Sequence, residues 1–218
     1  MSSRAWGRGE MRSAEFIGLN RYGNVASQLL VIPAGSKVGD LAIVIINNSS
    51  NGAPTLPGGW TITSLVNPWA LFGYHDFLGQ KVLDAGDIAA GTVLANSLGG
   101  DGIITILVYR GVDHALVTAT KRTSVDNNLS TTTIPGFTKS ATCRALLFYC
   151  CTRQPNLTLV SPSGAGFAKR LDNYWINGGT NFKTSIDDML NVGYYTNGTN
   201  VVYTGGATET IGVSIELT

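Results

Sequence analysis

The sequence predicts an all-β protein, an antiparallel jelly-roll-like β-sandwich with a short extended N-terminal arm, and three observations carry that reading. Apolar segments of four to nine residues recur with Gly, Pro and Asn between them. No stretch of ten or more residues shows a 3.6-residue apolar period, so no long amphipathic helix is expected. Polarity comes from small neutral groups: 23 Thr, 16 Asn and 27 Gly accompany a charged fraction of only 13%.

In chain order the strands read as Glu15–Leu19, Gln28–Ile32, Leu41–Asn47, Trp60–Val66, Leu71–Leu83, Thr92–Ser97, Gly102–Tyr109 and Leu116–Thr120. They continue as Thr131–Ile134, Ala145–Thr152, Leu157–Val160, Phe167–Asp172, Phe182–Leu190, Val192–Thr196, Val201–Thr204 and Thr210–Leu217. Leu41–Ile46 and Ala145–Cys151 are apolar at every position, as strands covered on both faces should be. Gly193–Tyr203 reads as a tight hairpin with Asn197-Gly198 at its tip, because that pair tolerates positive φ.

A faint internal repeat runs through the chain. Gly39–Ile46 aligns with Arg144–Cys151 at an offset of 105, and Ile106–Tyr109 aligns with Gly212–Ile215 at 106. The expected organisation is therefore an arm over residues 1–14 and a sandwich over 15–218 built from two similar halves, about 15–120 and 129–218. Two small β domains split near Lys121–Asn128 are the competing arrangement.

The arm carries Arg4, Arg8 and Arg12 at four-residue spacing, with Trp6 and Met11 among them. Two glycines between Trp6 and Glu10 work against a helix. This segment is read as a docking arm that buries Trp6 and Met11 and pairs its arginines with carboxylates of another subunit.

Composition excludes several classes. A net charge of +1 with 44% hydrophobic residues does not describe a disordered chain, nor a protein bound to nucleic acid by phosphate neutralisation. Residues 1–12 hold no apolar signal core, and Leu41–Ile46 is too short to span a bilayer, so synthesis in a bacterial host cytoplasm without membrane insertion is expected. The three cysteines read as buried free thiols.

Chemistry is thinly represented. The two histidines sit in His75-Asp76 and Asp113-His114, and neighbours on a strand face opposite ways. Asp187-Asp188 diverges for the same reason. Asp84, Asp87 and Asp101 could offer oxygens to Ca²⁺, but Asp beside Gly is first a turn former. No catalytic residue, metal or cofactor is expected. Trp69, Tyr174 and Trp175 beside turn residues, with Tyr194, Tyr195 and Tyr203, suit a host glycan, since aromatic faces beside amides and hydroxyls match a sugar.

Four segments then stand out together: Val38-Gly-Asp-Leu-Ala-Ile-Val44, Pro57-Gly-Gly-Trp-Thr61, Lys81-Val-Leu-Asp-Ala-Gly-Asp87 and Val108-Tyr-Arg-Gly-Val112. Their order resembles a family of β-sandwich virion structural proteins of tailed bacteriophages, tail- or fibre-associated or head-decorating. The resemblance covers about residues 25–115. It implies a non-enzymatic part of the particle that contacts tail, collar or capsid subunits, as a homo-oligomer. Read from the residues alone, Gly39-Asp40 turns the chain into a buried strand, Trp60 plugs one end of the sandwich, and Arg110, after Tyr109, makes an internal bidentate contact.

Overall fold

The computed structural model describes residues 13–23, 26–48, 53–69, 74–98, 102–123, 129–153, 166–177, 180–207 and 209–218. Arg4, Trp6, Arg8, Met11, Arg12 and Asp101 lie outside the described residues, as does the expected strand Leu157–Val160. The first half runs β1 (Glu15–Gly23), β2 (Ser27–Val31), β3 (Leu41–Asn48), β4 (Thr61–Trp69), β5 (Tyr74–Val82), helix α1 (Ala85–Ala90), β6 (Thr92–Asn96) and β7 (Gly102–Arg110). The second runs β8 (Ala115–Thr123), β9 (Leu129–Ile134), β10 (Ala145–Arg153), β11 (Ala168–Asn177), β12 (Thr180–Met189), a 3-10 turn (Val192–Tyr194), β13 (Val201–Ala207) and β14 (Glu209–Leu217).

The halves share one topology. Strand order is β1-β7-β3-β5-β4 in the first sheet and β8-β14-β10-β12-β11 in the second, with a ribbon β2-β6 in one half and β9-β13 in the other. Pairing is antiparallel and nested: first strand with last, second with sixth, third with fifth. Among the described residues the antiparallel sandwich consists of five-plus-two strands in each half. The equivalence places the join at residues 111–114. β8 pairs with β14, so it belongs to the second half, earlier than the polar stretch at 121–128.

Alternation along each strand builds the layers. From β3, Leu41, Ile43 and Ile45 point between the sheets, where they meet Leu147, Tyr149 and Cys151 of β10 and Val213 and Ile215 of β14. Ala42, Val44 and Ile46 point the other way and are covered by Leu30, Val93 and Ala95 of the β2-β6 ribbon. Leu146, Phe148 and Cys150 are likewise covered by Ile134, Val201 and Tyr203 of β9-β13. The central layer takes residues from both halves, and Ala14, just before β1, already packs into it. Cys150 and Cys151 are free and buried in different layers.

The repeat is real in topology but its literal alignment is one residue out. An offset of 105 matches Leu41, which faces between the sheets, with Leu146, which faces its ribbon. Equivalent faces require an even offset, because strands have a period of two.

Local chemistry sets the connections. Asp84 caps α1, accepting from the N–H groups of Gly86 (2.7 Å) and Asp87 (3.0 Å), while Asp87 accepts from the Asp84 N–H (2.9 Å). Both carboxylates also bind Lys81. The expected hairpin at 193–203 does not form. Val192–Tyr194 is a 3-10 turn, Asn197-Gly198 is a turn with Gly198 at φ +80°, and β13 pairs with β9 instead.

Gly136 lies against that turn. A Cβ there would come within 2.1 Å of the Gly198 carbonyl oxygen and 2.2 Å of its carbon, and backbone cannot yield as a side chain can. Gly136→Ala is expected to destabilise the protein by about 3 kcal/mol, read as a fall in the urea midpoint at unchanged slope. An unchanged midpoint would contradict the packing described.

Candidate functional site

The four sequence signatures meet in space. Leaving the turn at Gly39 (φ +90°), the chain exchanges hydrogen bonds with Leu83: Gly39 N–H to the Leu83 carbonyl (2.9 Å) and Leu83 N–H to the Asp40 carbonyl (2.8 Å). Lys81 reaches Asp84 (3.0 Å) and Asp87 (2.8 Å), and its stem lies over Gly59, where a Cβ would sit 3.0 Å from Lys81 Cε. At the end of β7, Arg110 donates from Nε to Asp40 Oδ1 and from Nη2 to Asp40 Oδ2, both at 2.9 Å. It also donates to Glu15 (3.3 Å) and to the Gly35 carbonyl (3.0 Å). Asp40 is nearly buried and takes the Lys37 N–H as well (2.8 Å). A planar fork against a carboxylate fixes both partners in one geometry. Arg110 thereby ties together β1, the lead into β3 and the end of β7.

A polar cavity of about 480 Å³ opens beside this cluster, lined by Lys37, Asp40, Arg110, Asp113, Arg144 and Thr218 among others. Arg144 donates to the Gly111 carbonyl (3.0 Å), across the join between the halves. In the second half Glu216 accepts from the Ser140 N–H (3.0 Å) and from the Ser140 hydroxyl. Burial, with Glu216 nearby, pushes the Cys143 thiol up to about 12, so it is not a thiolate nucleophile at neutral pH.

Two further groups fasten the sheets to one another. Tyr149 on β10 donates to Asp76 Oδ1 on β5 (2.6 Å), and Asn47 Nδ2 donates to the same oxygen (3.1 Å). In return Tyr109 on β7 donates to Asp188 on β12 (3.1 Å), which also accepts from Arg170 Nε (2.8 Å). Each half thus sends one tyrosine across to one buried carboxylate of the other. Gln80 adds a third tie, pairing with the N–H (2.7 Å) and carbonyl (2.9 Å) of Ala115 on β8. Asp187 points the opposite way from Asp188, into the outer layer, where Tyr203 (3.2 Å) and Ser185 (2.8 Å) donate to it. Burial pushes Asp76 up to about 6 against the pull of its two donors. Burial also raises Asp188, with Arg170 opposing. The three tyrosines are raised well above their usual range, so they act as neutral donors.

The remaining candidates disperse. Trp60 packs on the outer face of the first sheet, against the layer under β2-β6, and does not plug the end between the sheets. Trp69 ends β4, whereas Tyr174 and Trp175 lie on β11, and their side chains lie outside the description. The sheets stack so that β11 runs over β1, with Arg170 4.3 Å above the Phe16 ring, while β8 meets β5 through Gln80. β4 and β11 are thus at opposite edges, and the three aromatics do not share a platform. Tyr195 and Tyr203 are buried; of the last tyrosine group Tyr194 alone is exposed. His75 stacks on Phe77 (6.0 Å between rings), while Asp76 faces between the sheets. Among the described residues no three His, Cys, Asp or Glu side chains gather as metal ligands, and no described helix is long and apolar enough to cross a membrane.

Comparison with protein-family models, with curated proteins and with solved structures gives no match for this chain.

Proposed function

We propose that the protein is a structural component of a tailed-bacteriophage virion, present in several copies. In this reading it is a tail- or fibre-associated element, such as an adaptor, collar or tip, and it docks through its N-terminal arm. The observation that carries the reading is the convergence of the four signature segments on one end of the first half. The residues that resemble the phage family lock turns there, with Arg110 on Asp40 and Lys81 on Asp84 and Asp87. Motifs of that kind specify a rigid body rather than a reaction. Glu15 binds Arg110, so β1 begins at this locked end. A body poor in charge suits neutral protein contact, because charged residues are depleted at interface cores.

Ala14 is part of the core, so the test removes residues 1–12 only. In the parent phage the truncated protein is expected to fold with unchanged thermal midpoint and to be missing from purified particles. Its incorporation at wild-type level would refute docking through the arm. Where the full-length protein is located, on tail or on head, separates the tail element from a capsid decoration protein.

A further inference from the structure

The connection from the fifth strand to the sixth differs between the halves. In the first half it is α1, held by Lys81 on Asp84 and Asp87. In the second it runs from β12 to β13 through residues 191–200, Asn-Val-Gly-Tyr-Tyr-Thr-Asn-Gly-Thr-Asn, which carry no charge. The loop is nonetheless fixed. Val192 and Tyr195 are seated in the outer layer of the second half, with the Tyr195 ring stacked on Phe137 at 4.8 Å. Tyr195 Oη accepts from the Phe137 N–H (3.1 Å) and donates to the Thr199 carbonyl (2.9 Å), and the Gly198 N–H donates to the Phe137 carbonyl (2.9 Å).

Between Val192 and Tyr195, Tyr194 is turned out. It is 64% exposed, the most exposed of the large hydrophobic side chains among the described residues and the one aromatic in that group. Its ring is backed by Gly166 (φ +92°), where a Cβ would come within 2.9 Å of Tyr194 Cδ2 and 3.2 Å of Cγ. An aromatic ring held from behind and open to solvent gives up little conformational freedom on binding. Three exposed asparagines share the loop, and each is oriented through its oxygen. Asn191 Oδ1 accepts from the Gly193 N–H (3.1 Å), Asn197 Oδ1 from the Lys139 N–H (3.2 Å) and Asn200 Oδ1 from the Gly136 N–H (2.8 Å). Their amide nitrogens have no partner among the described residues, so each keeps two N–H donors.

We propose that this loop binds a neutral pyranose sugar, with Tyr194 as the stacking surface. A pyranose presents an apolar C–H face to an aromatic ring and hydroxyl oxygens around its edge, and an aromatic beside amide donors matches both. Asn191, in the same 3-10 turn as Tyr194, is the donor assigned to the stacked sugar; Asn197 and Asn200 continue the surface for a further unit. The absence of charge selects the class. Lys139, the cation bound to the loop, donates Nζ to the Tyr195 carbonyl and lies over the Tyr195 ring at 5.7 Å, so it is spent on holding the loop. An acidic sugar therefore gains nothing here over a neutral one. One ring and a few amides on an open surface support a dissociation constant on the order of 1 mM.

The test is amide NMR of the full chain with saturation transfer to the ligand. The probes are methyl β-galactopyranoside, methyl α-glucopyranoside and methyl N-acetyl-β-glucosaminide, with N-acetylneuraminic acid as the charged comparison. At least one neutral glycoside is expected to shift amides of residues 191–200 and to receive saturation at its ring C–H protons. Tyr194→Ala should weaken this by at least about tenfold, and Tyr194→Phe should retain it. The position is exposed, and circular dichroism checks the fold of both variants. Shifts in the wild type decide the location without any variant. Binding of none of the three neutral glycosides overturns the proposal. So do shifts centred outside the loop, binding indifferent to Tyr194→Ala, or tighter binding of N-acetylneuraminic acid. None of these readouts involves particle assembly, so a failure here leaves the virion reading standing, and a failure of arm docking leaves the sugar site standing.

Discussion

Asp76→Asn is expected to stabilise the protein at pH 8 by up to about 3 kcal/mol and to change it little at pH 4. Asp76 is fully buried between the sheets, with Tyr149 and Asn47 both donating to Oδ1 and no partner for Oδ2 among the described residues. Among the described residues no cation faces it, and Tyr149 and the Cys151 thiol are the titratable groups beside it. Its value of about 6 lies above the ordinary 3.8. The folded state therefore holds a proton that the unfolded state has released between those values. Stability is fully present below about 3.8 and is lost as pH rises through about 6. Asn imitates the protonated form at every pH, keeping an oxygen for the Tyr149 hydroxyl. Urea titrations at half-unit steps from pH 4 to 8 check this. A wild-type-to-variant difference that does not grow with pH would contradict the assignment.

Arg170→Met is expected to act in the other direction, costing about 3 kcal/mol at pH 7. Asp188 is the matching carboxylate across the sandwich, but it has a cation, with Arg170 Nε 2.8 Å away. Removing that cation leaves a buried carboxylate with Tyr109 as its one donor among the described residues, and the contact of the guanidinium on Phe16 (4.3 Å) is lost with it. The carboxyl then rises further, so the cost should shrink as pH falls and Asp188 becomes protonated. Asp188→Asn in the same chain should restore most of the loss at pH 7, because no charge is then left unpaired. A double variant no more stable than Arg170→Met would show that the guanidinium acts by packing alone.

The elements that were legible in the sequence are those where composition and period agree. β3 and β10 are apolar at every core position because each is covered on both sides, and that shows directly as an unbroken apolar run. The same property hid the register of the repeat. A strand apolar on both faces gives no sign of which face is which, so the best letter match at 105 puts inner against outer residues. Pairing at long range was also not legible. Asn197-Gly198 has the chemistry of a hairpin tip, yet β13 finds its partner in β9, about seventy residues earlier. Arg110 and Asp40 both stand out in the sequence, but only the fold brings a pair 70 residues apart to 2.9 Å. Asp76, Asp188, Tyr149, Gln80 and Arg170 went unrecognised as cross-sheet ties. The available signal was a carboxylate on the inward face of a strand, such as Asp76 two residues before Leu78. In the sequence Tyr203 reads with Tyr194 and Tyr195 as part of a sugar-binding group, whereas its hydroxyl donates to buried Asp187.

One sandwich made of two equivalent halves, locked by reciprocal tyrosine–carboxylate bonds through a shared core, should unfold as a unit. Scanning calorimetry of the full chain tests this most directly. A single transition whose calorimetric and van't Hoff enthalpies agree is the expected result. Two resolved transitions, or a calorimetric enthalpy about twice the van't Hoff value, would mean that the halves unfold independently and that the bonds between the sheets do not couple them.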